Sequence, residues 1–130
     1  MTELNYLAIL VAAAAAFVMS SAWYTGFGSR LAELDDAYAG TERPPAWKLL
    51  VELARSLVVA AVLAGLTKEI GTDGWLDAMA LGLVAWIGFP VVILTGAVIH
   101  ENVPWKLAAV HAGDWLLKLV IIAAIVGVWR

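Results

Sequence analysis

The chain has 130 residues, of which 63% are hydrophobic and 15% charged, and its formal net charge is -3. The polar residues available cannot cover so much apolar surface, so the composition excludes a water-soluble domain and indicates a membrane protein. With only 8 Lys and Arg residues, no Gly-rich phosphate loop and no HExxH motif, the sequence also excludes nucleic-acid binding, nucleotide-loop and zinc-protease classes.

Four apolar runs are long enough to cross a bilayer, which takes about 20 residues of helix for roughly 30 Å of hydrocarbon. They extend from Leu4 to Tyr24, from Trp47 to Thr67, from Trp75 to Ile99 and from Trp105 to Trp129. Backbone groups in hydrocarbon must be satisfied within the segment, which favours helices. We therefore predict an all-α polytopic membrane protein, with one domain over residues 1–130 that forms a compact bundle of four transmembrane helices.

The first run could be read as a secretory signal peptide, because small residues precede Trp23. The opening "MTELNY" contains Glu3 and neither Lys nor Arg, whereas a signal peptide begins with positive charge and has a shorter apolar stretch. We expect this run to be the first transmembrane helix.

The first connection, from Gly26 to Ala46, is the long one. Phe27, Leu31, Leu34 and Tyr38 recur in it at helical spacing, which predicts a short helix lying on the membrane surface. A solvated loop with scattered apolar residues is the alternative. The other two connections are short, so successive helices are expected to be antiparallel neighbours.

Aromatic residues mark the ends of the predicted spans, as expected where indole and phenol rings lie at headgroup level. The interface anchors we predict are Trp23, Tyr24, Trp47, Trp75, Trp105 and Trp129. Trp86 and Trp115 lie within spans instead. In the third span Pro90 lacks a backbone donor, so it should kink the helix; a gating hinge is the more specific interpretation of the same residue.

Charged residues interrupt the second and fourth runs. Glu52 and Arg55 are three positions apart, and His111, Asp114 and Lys118 follow spacings of three and four, so each set lies on one helical face. The second and fourth helices start from the same side of the membrane, and Arg55 and Asp114 each lie roughly 12 to 14 Å beyond a tryptophan at the helix start. We therefore expect an interhelical ion pair between Arg55 and Asp114.

These charges allow two main interpretations. Ionisable groups facing lipid are costly, so the five residues should face inward as a buried, self-neutralising network that holds the helices to each other or to a partner. Alternatively, they form an ion or proton path. For catalysis, Ser20, Ser21 and Tyr24 would need a histidine, and nothing in the sequence arranges one beside them, so no enzyme is predicted.

No cofactor or metal site is predicted. His100 and His111 lie at different depths, which argues against a shared haem, and His100 with Glu101 supplies two possible metal ligands without a third. The chain has no cysteine, which excludes disulfides and thiolate sites. The positive-inside rule places both termini outside the cytoplasm by a narrow margin, and insertion in both directions remains an alternative.

Several segments together resemble a known family. They are "NYLAILVAAAAAFVMSSAWYTGFG", "WIGF", "HENVPWKL", "HAGDWLLKL" and the closing "GVW". In order and spacing they are similar to the bacterial four-helix membrane proteins grouped as domain of unknown function 1761, over nearly the whole chain. His111 and Asp114 stand where that family tends to have an asparagine and then an aromatic residue.

The resemblance implies a four-span protein of a bacterial inner membrane and carries no activity. We expect an accessory or self-assembling protein, in contact with the lipid bilayer and forming a homo-oligomer or part of a larger complex. The alternative is an oligomeric ion or proton channel or small-solute transporter that uses the charged residues.

Overall fold

The computed structural model describes residues 4–34 and 45–129 of the chain. The helices are α1 (Tyr6–Gly26), α2 (Gly28–Leu34), α3 (Ala46–Ile70), α4 (Gly74–Trp86), α5 (Val92–His100) and α6 (Trp105–Val128), and a π-helical turn (Ile87–Val91) joins α4 to α5.

Within the described residues, four helices are long and apolar enough to cross a membrane, which confirms the predicted fold class. They are α1, α3, the continuous α4–α5 segment and α6, and their ends differ from the predicted ends by less than one turn. The side chain of Asn5 caps α1 by accepting a hydrogen bond from the Ala8 amide. Gly71 ends α3 in the left-handed conformation, with φ of 75°, which glycine adopts without steric cost.

The predicted short helix of the first connection is present as α2. Its Leu31 is only 1% exposed, and α2 contacts both α1 and α6. Helix α2 therefore packs against the bundle through the buried side chain of Leu31. Tyr38, which belongs to the same predicted pattern, lies outside the described residues.

Helix α6 is the centre of the bundle, because it contacts α1, α3, α4 and α5. Helix α1 runs antiparallel to it, since Asn5 hydrogen-bonds the carbonyl of Trp129 while Trp23 hydrogen-bonds that of Val110. The core of α1, α3 and α6 is built largely from small residues, which let helices approach closely. Its buried members are Ile9, Ala12, Ala13, Ala16, Ala60, Leu63, Ala64, Leu119, Ile122 and Val126.

Two helices leave this core towards the end of the bundle where α1 ends and α6 begins. No residue of α3 before Ser56 is buried, and α5 has no buried residue. The departure of α5 follows the π-helical turn, which contains Pro90. Proline lacks an N–H and its ring clashes with the carbonyl four residues earlier, and the wider turn accommodates that defect. One half of the bundle is therefore closely packed and the other half is open.

We expect Gly127→Ala to destabilise the closed half. A Cβ atom at Gly127 would lie 2.5 Å from the Cβ of Ala78 and 3.3 Å from the Cα of Trp75, so α4 and α6 would have to separate. Overpacking of this kind costs about 1–3 kcal/mol of unfolding free energy, measurable by denaturant titration in detergent micelles. Gly65→Ala is the control, because nothing lies within 4 Å of its added methyl group. Equal stability of the two variants would contradict the packing described.

Candidate functional site

A cleft of about 730 Å³ occupies the open half of the bundle. All five charged or ionisable residues of the predicted network line it, together with hydroxyl and aromatic side chains from α1 and α3 and one residue of α5. The lining residues are Phe17, Ser20, Ser21, Tyr24, Trp47, Lys48, Leu49, Val51, Glu52, Arg55, Ser56, Leu94, His111, Asp114, Trp115 and Lys118.

Asp114 is the buried polar centre of this cleft. Its side chain is 3% exposed; one carboxylate oxygen accepts a hydrogen bond from Ser20 of α1, and the other lies 3.2 Å from the Lys118 ammonium. Lys118 is 8% exposed and also lies over the Trp115 ring, 4.8 Å from its centroid. The carboxylate thus binds a neighbouring helix and its own helix at once, which fixes the rotation of α6 against α1.

The expected ion pair between Arg55 and Asp114 is not formed, and that expectation was wrong. Arg55 instead contacts Glu52 of its own helix at 2.5 Å, and their side chains are 54% and 44% exposed. Both residues line the same cleft, but the first half of α3 stands away from α6, and each residue has its ion-pair partner one turn along its own helix. The cleft separates the two pairs.

His111 has a partner that the sequence did not predict. Its Nδ1 lies 2.6 Å from the Tyr24 hydroxyl, and the two rings are 5.6 Å apart between centroids. The expectation that no histidine lies beside these α1 residues was therefore wrong for Tyr24, which contacts His111, while Ser20 contacts the Asp114 carboxylate. A phenol, an imidazole, a hydroxyl and a carboxylate lie on one wall.

Two indole groups hold α6 from its flanks. Trp23 of α1 donates its Nε1–H to the Val110 carbonyl at 3.0 Å, and Trp86 of α4 donates to the Ala112 carbonyl at 2.8 Å. Residues two apart on a helix point about 200° away from each other, so the two donors approach from opposite sides.

The remaining predicted anchors lie at helix ends. Trp47, Trp75, Trp105 and Trp129 are all at least 40% exposed, as aromatic side chains at a membrane surface would be. Their anchoring role stays a prediction, whereas Trp23 and Tyr24 have direct partners on α6.

The hydroxyl residues of α1 are what sequence reasoning missed. Ser20 and Tyr24 are four positions apart on one face, and His111 and Asp114 are three apart on another. Because α1 and α6 are antiparallel, Ser20 lies opposite Asp114 and Tyr24 lies opposite His111. That correspondence was available as a signal, but it required knowing that α6 packs on α1.

The sequence profile of a family described as "Protein of unknown function (DUF1761)" matches residues 7–127. The chain belongs to this family. No curated protein and no solved structure matches this DUF1761 member. The family description assigns no activity, so the function has to be argued from the cleft.

The cleft of this DUF1761 protein is lined by charged side chains and by hydroxyl groups that can form hydrogen bonds. Within residues 4–34 and 45–129, no three His, Asp or Glu side chains are grouped so that they could hold a metal ion. In the same part of the chain every buried side-chain nitrogen and oxygen has a hydrogen-bond partner. The buried wall is thus satisfied internally, and the exposed side chains of Lys48, Glu52 and Arg55 carry charges that a ligand entering the cleft can reach.

We expect Asp114→Asn to lower the stability of the DUF1761 protein strongly. The change leaves the buried Lys118 ammonium without a counter-charge, which costs about 3 kcal/mol, seen as a lower melting temperature in detergent. Glu52→Gln is the matched control, because it breaks an intrahelical pair that is half-exposed and worth at most about 1 kcal/mol. If the two variants have the same melting temperature, burial of the Asp114–Lys118 pair does not stabilise the bundle.

Proposed function

We propose that the protein is a small membrane transporter or channel that admits a charged solute into the cleft between α3 and α6. The observation that carries the proposal is the contrast between two ion pairs on facing walls. The Asp114–Lys118 pair is buried and complete, whereas the Glu52–Arg55 pair is half-exposed towards a cleft of about 730 Å³. A network that only held helices together would have both pairs enclosed.

The depth of the exposed pair supports the proposal. Arg55 lies roughly 12 Å along the helix from the rim residue Trp47, at about 1.5 Å per residue. Charged groups at such depth are tolerated where they face protein or a water-filled cavity, and they commonly mark substrate or ion pathways. The cleft supplies that polar space. The same proposal assigns the protein to a bacterial inner membrane, as the resemblance to the family implies.

Closing the cleft with a large side chain tests this function. Ser21 lines the cleft, is exposed and hydrogen-bonds only back to the Phe17 carbonyl, so Ser21→Trp should fill space without unfolding the bundle. In proteoliposomes with a trapped pH dye and imposed potassium or chloride gradients, we expect flux in the natural protein and its loss in Ser21→Trp.

Thr25→Trp is the control for this experiment. Thr25 lies one turn further along α1, is exposed and donates to the Ser21 carbonyl in the same way, but it is outside the cleft lining. The control should retain flux. Absence of flux in the natural protein, or equal flux in both tryptophan variants, would contradict transport through the cleft.

Self-assembly is the second candidate, as an accessory protein or as a homo-oligomer that encloses the cleft. It is favoured by the open half of α3, where Leu50 is 66% exposed beside the half-exposed ion pair. A second copy seated there would shield charges that lipid solvates poorly.

Cross-linking tests the assembly, since the chain has no cysteine of its own. With one cysteine introduced by Leu50→Cys, we expect oxidation in membranes to give a covalent dimer. Val84→Cys on α4 is the control, because Val84 is equally exposed, at 67%, on a different helix. Equal cross-linking at both positions, or none at Leu50→Cys, would count against an interface along α3.

A further inference from the structure

We propose that the ligand of the cleft is a membrane amphiphile with a compact anionic headgroup, which enters sideways between α3 and α5. The inference rests on the proposed function of the cleft and names the class of molecule that it takes. The headgroup would bind Lys48 and Arg55, and the acyl chain would leave through the gap between the two helices.

The gap is a consequence of the way α3 and α5 leave the core. Both helices contact α6, yet within the described part of the chain they do not contact each other. Leu94 of α5 lines the cleft on one side and Val51 of α3 on the other. Both helices also carry exposed apolar side chains, among them Ile93 of α5 at 67% and Val58 of α3 at 63%. A molecule in the surrounding hydrocarbon therefore has a lateral route into the polar cleft.

The charge of the cleft favours an anion. Its lining contains three cations, Lys48, Arg55 and Lys118, against two carboxylates, Glu52 and Asp114. Lys118 is buried and held by Asp114. Among the described residues Lys48 has no carboxylate within ion-pair distance, and its ammonium lies 5.7 Å from the Trp47 ring centroid at the rim.

Arg55 can bind an oxyanion while it keeps its contact with Glu52. That contact uses the Nη1 group, and the side chain is 54% exposed. A guanidinium has five N–H donors in a planar fork, which matches phosphate and carboxylate geometry. Lys48 at the rim and Arg55 two turns deeper lie on one face of α3 with Glu52 between them, so this face has a net charge of one positive and offers a headgroup two cations.

The rest of the lining suits the apolar part of such a molecule. Phe17, Val51 and Leu94 form apolar wall beside the charged groups, and the volume falls within the roughly 300–1,000 Å³ common for small-molecule sites. A free inorganic anion would leave these walls in contact with water. A headgroup with the first part of its chain covers both kinds of surface.

Native mass spectrometry of the detergent-solubilised full chain tests the proposal. The probes are dimyristoylphosphatidylglycerol, dimyristoylphosphatidylcholine and glycerol 1-phosphate, each titrated to one-to-one complexes. Both lipids carry the same phosphate, but the choline cation of the zwitterionic lipid is repelled by Lys48 and Arg55. We therefore expect the anionic lipid to bind about tenfold more tightly. Glycerol 1-phosphate should bind far more weakly than the anionic lipid.

Two pairs of variants locate the binding. Lys48→Gln should lower the affinity for phosphatidylglycerol several-fold, whereas Lys106→Gln should not. The two lysines are matched, since Lys106 lies beside Trp105 with its ammonium 5.8 Å from that ring but outside the cleft lining. Ser21→Trp should abolish the selective binding that Thr25→Trp retains.

Equal affinity for the two lipids, or equal losses in Lys48→Gln and Lys106→Gln, would overturn the proposal. Equally tight binding of glycerol 1-phosphate would also overturn it, because the site would then take a free anion. If the two lipids bind equally but Ser21→Trp still blocks flux, the protein is a transporter or channel whose ligand is not an anionic lipid. If lipid binding is selective and ion flux is absent, the ligand proposal stands and transport of small ions through the cleft is ruled out.

Discussion

A single buried carboxylate sets the arrangement on which the rest of the structure depends. Removing Asp114 from water is costly, and the cost is met only when both oxygens have partners. Lys118 of the same helix supplies the charge, and Ser20 of α1 supplies a hydroxyl. Because one partner belongs to another helix, satisfying the carboxylate also fixes which face of α6 meets α1. The polar wall of the cleft follows from that rotation.

The division of the bundle into a closed and an open half has a simple compositional origin. Alanine-rich faces of α1 and α3 allow close approach in one half. In the other half α3 carries Lys48, Glu52 and Arg55, which cannot be buried without partners, and α5 follows a turn distorted by Pro90. The helices separate where their side chains require polar space.

The four spans could be predicted from sequence, because they depend on hydropathy and on helix length alone. The helix that each span faces could not. Pairing Arg55 with Asp114 assumed that α3 and α6 touch there, and the hydropathy pattern does not report the lateral distance between helices. Tyr24 was assigned to the membrane surface for the same reason, since its partner His111 belongs to a helix far away in the chain.

The indole groups of Trp23 and Trp86 have a mechanical consequence. Each donates to a backbone carbonyl of α6 from an opposite flank, so neither rotation nor sliding of α6 is possible without losing at least one of these hydrogen bonds. We therefore expect the position and rotation of α6 to stay fixed relative to α1 and α4. Any rearrangement that widens or narrows the cleft must be carried by α5 and the first half of α3, which have the fewest buried contacts to lose.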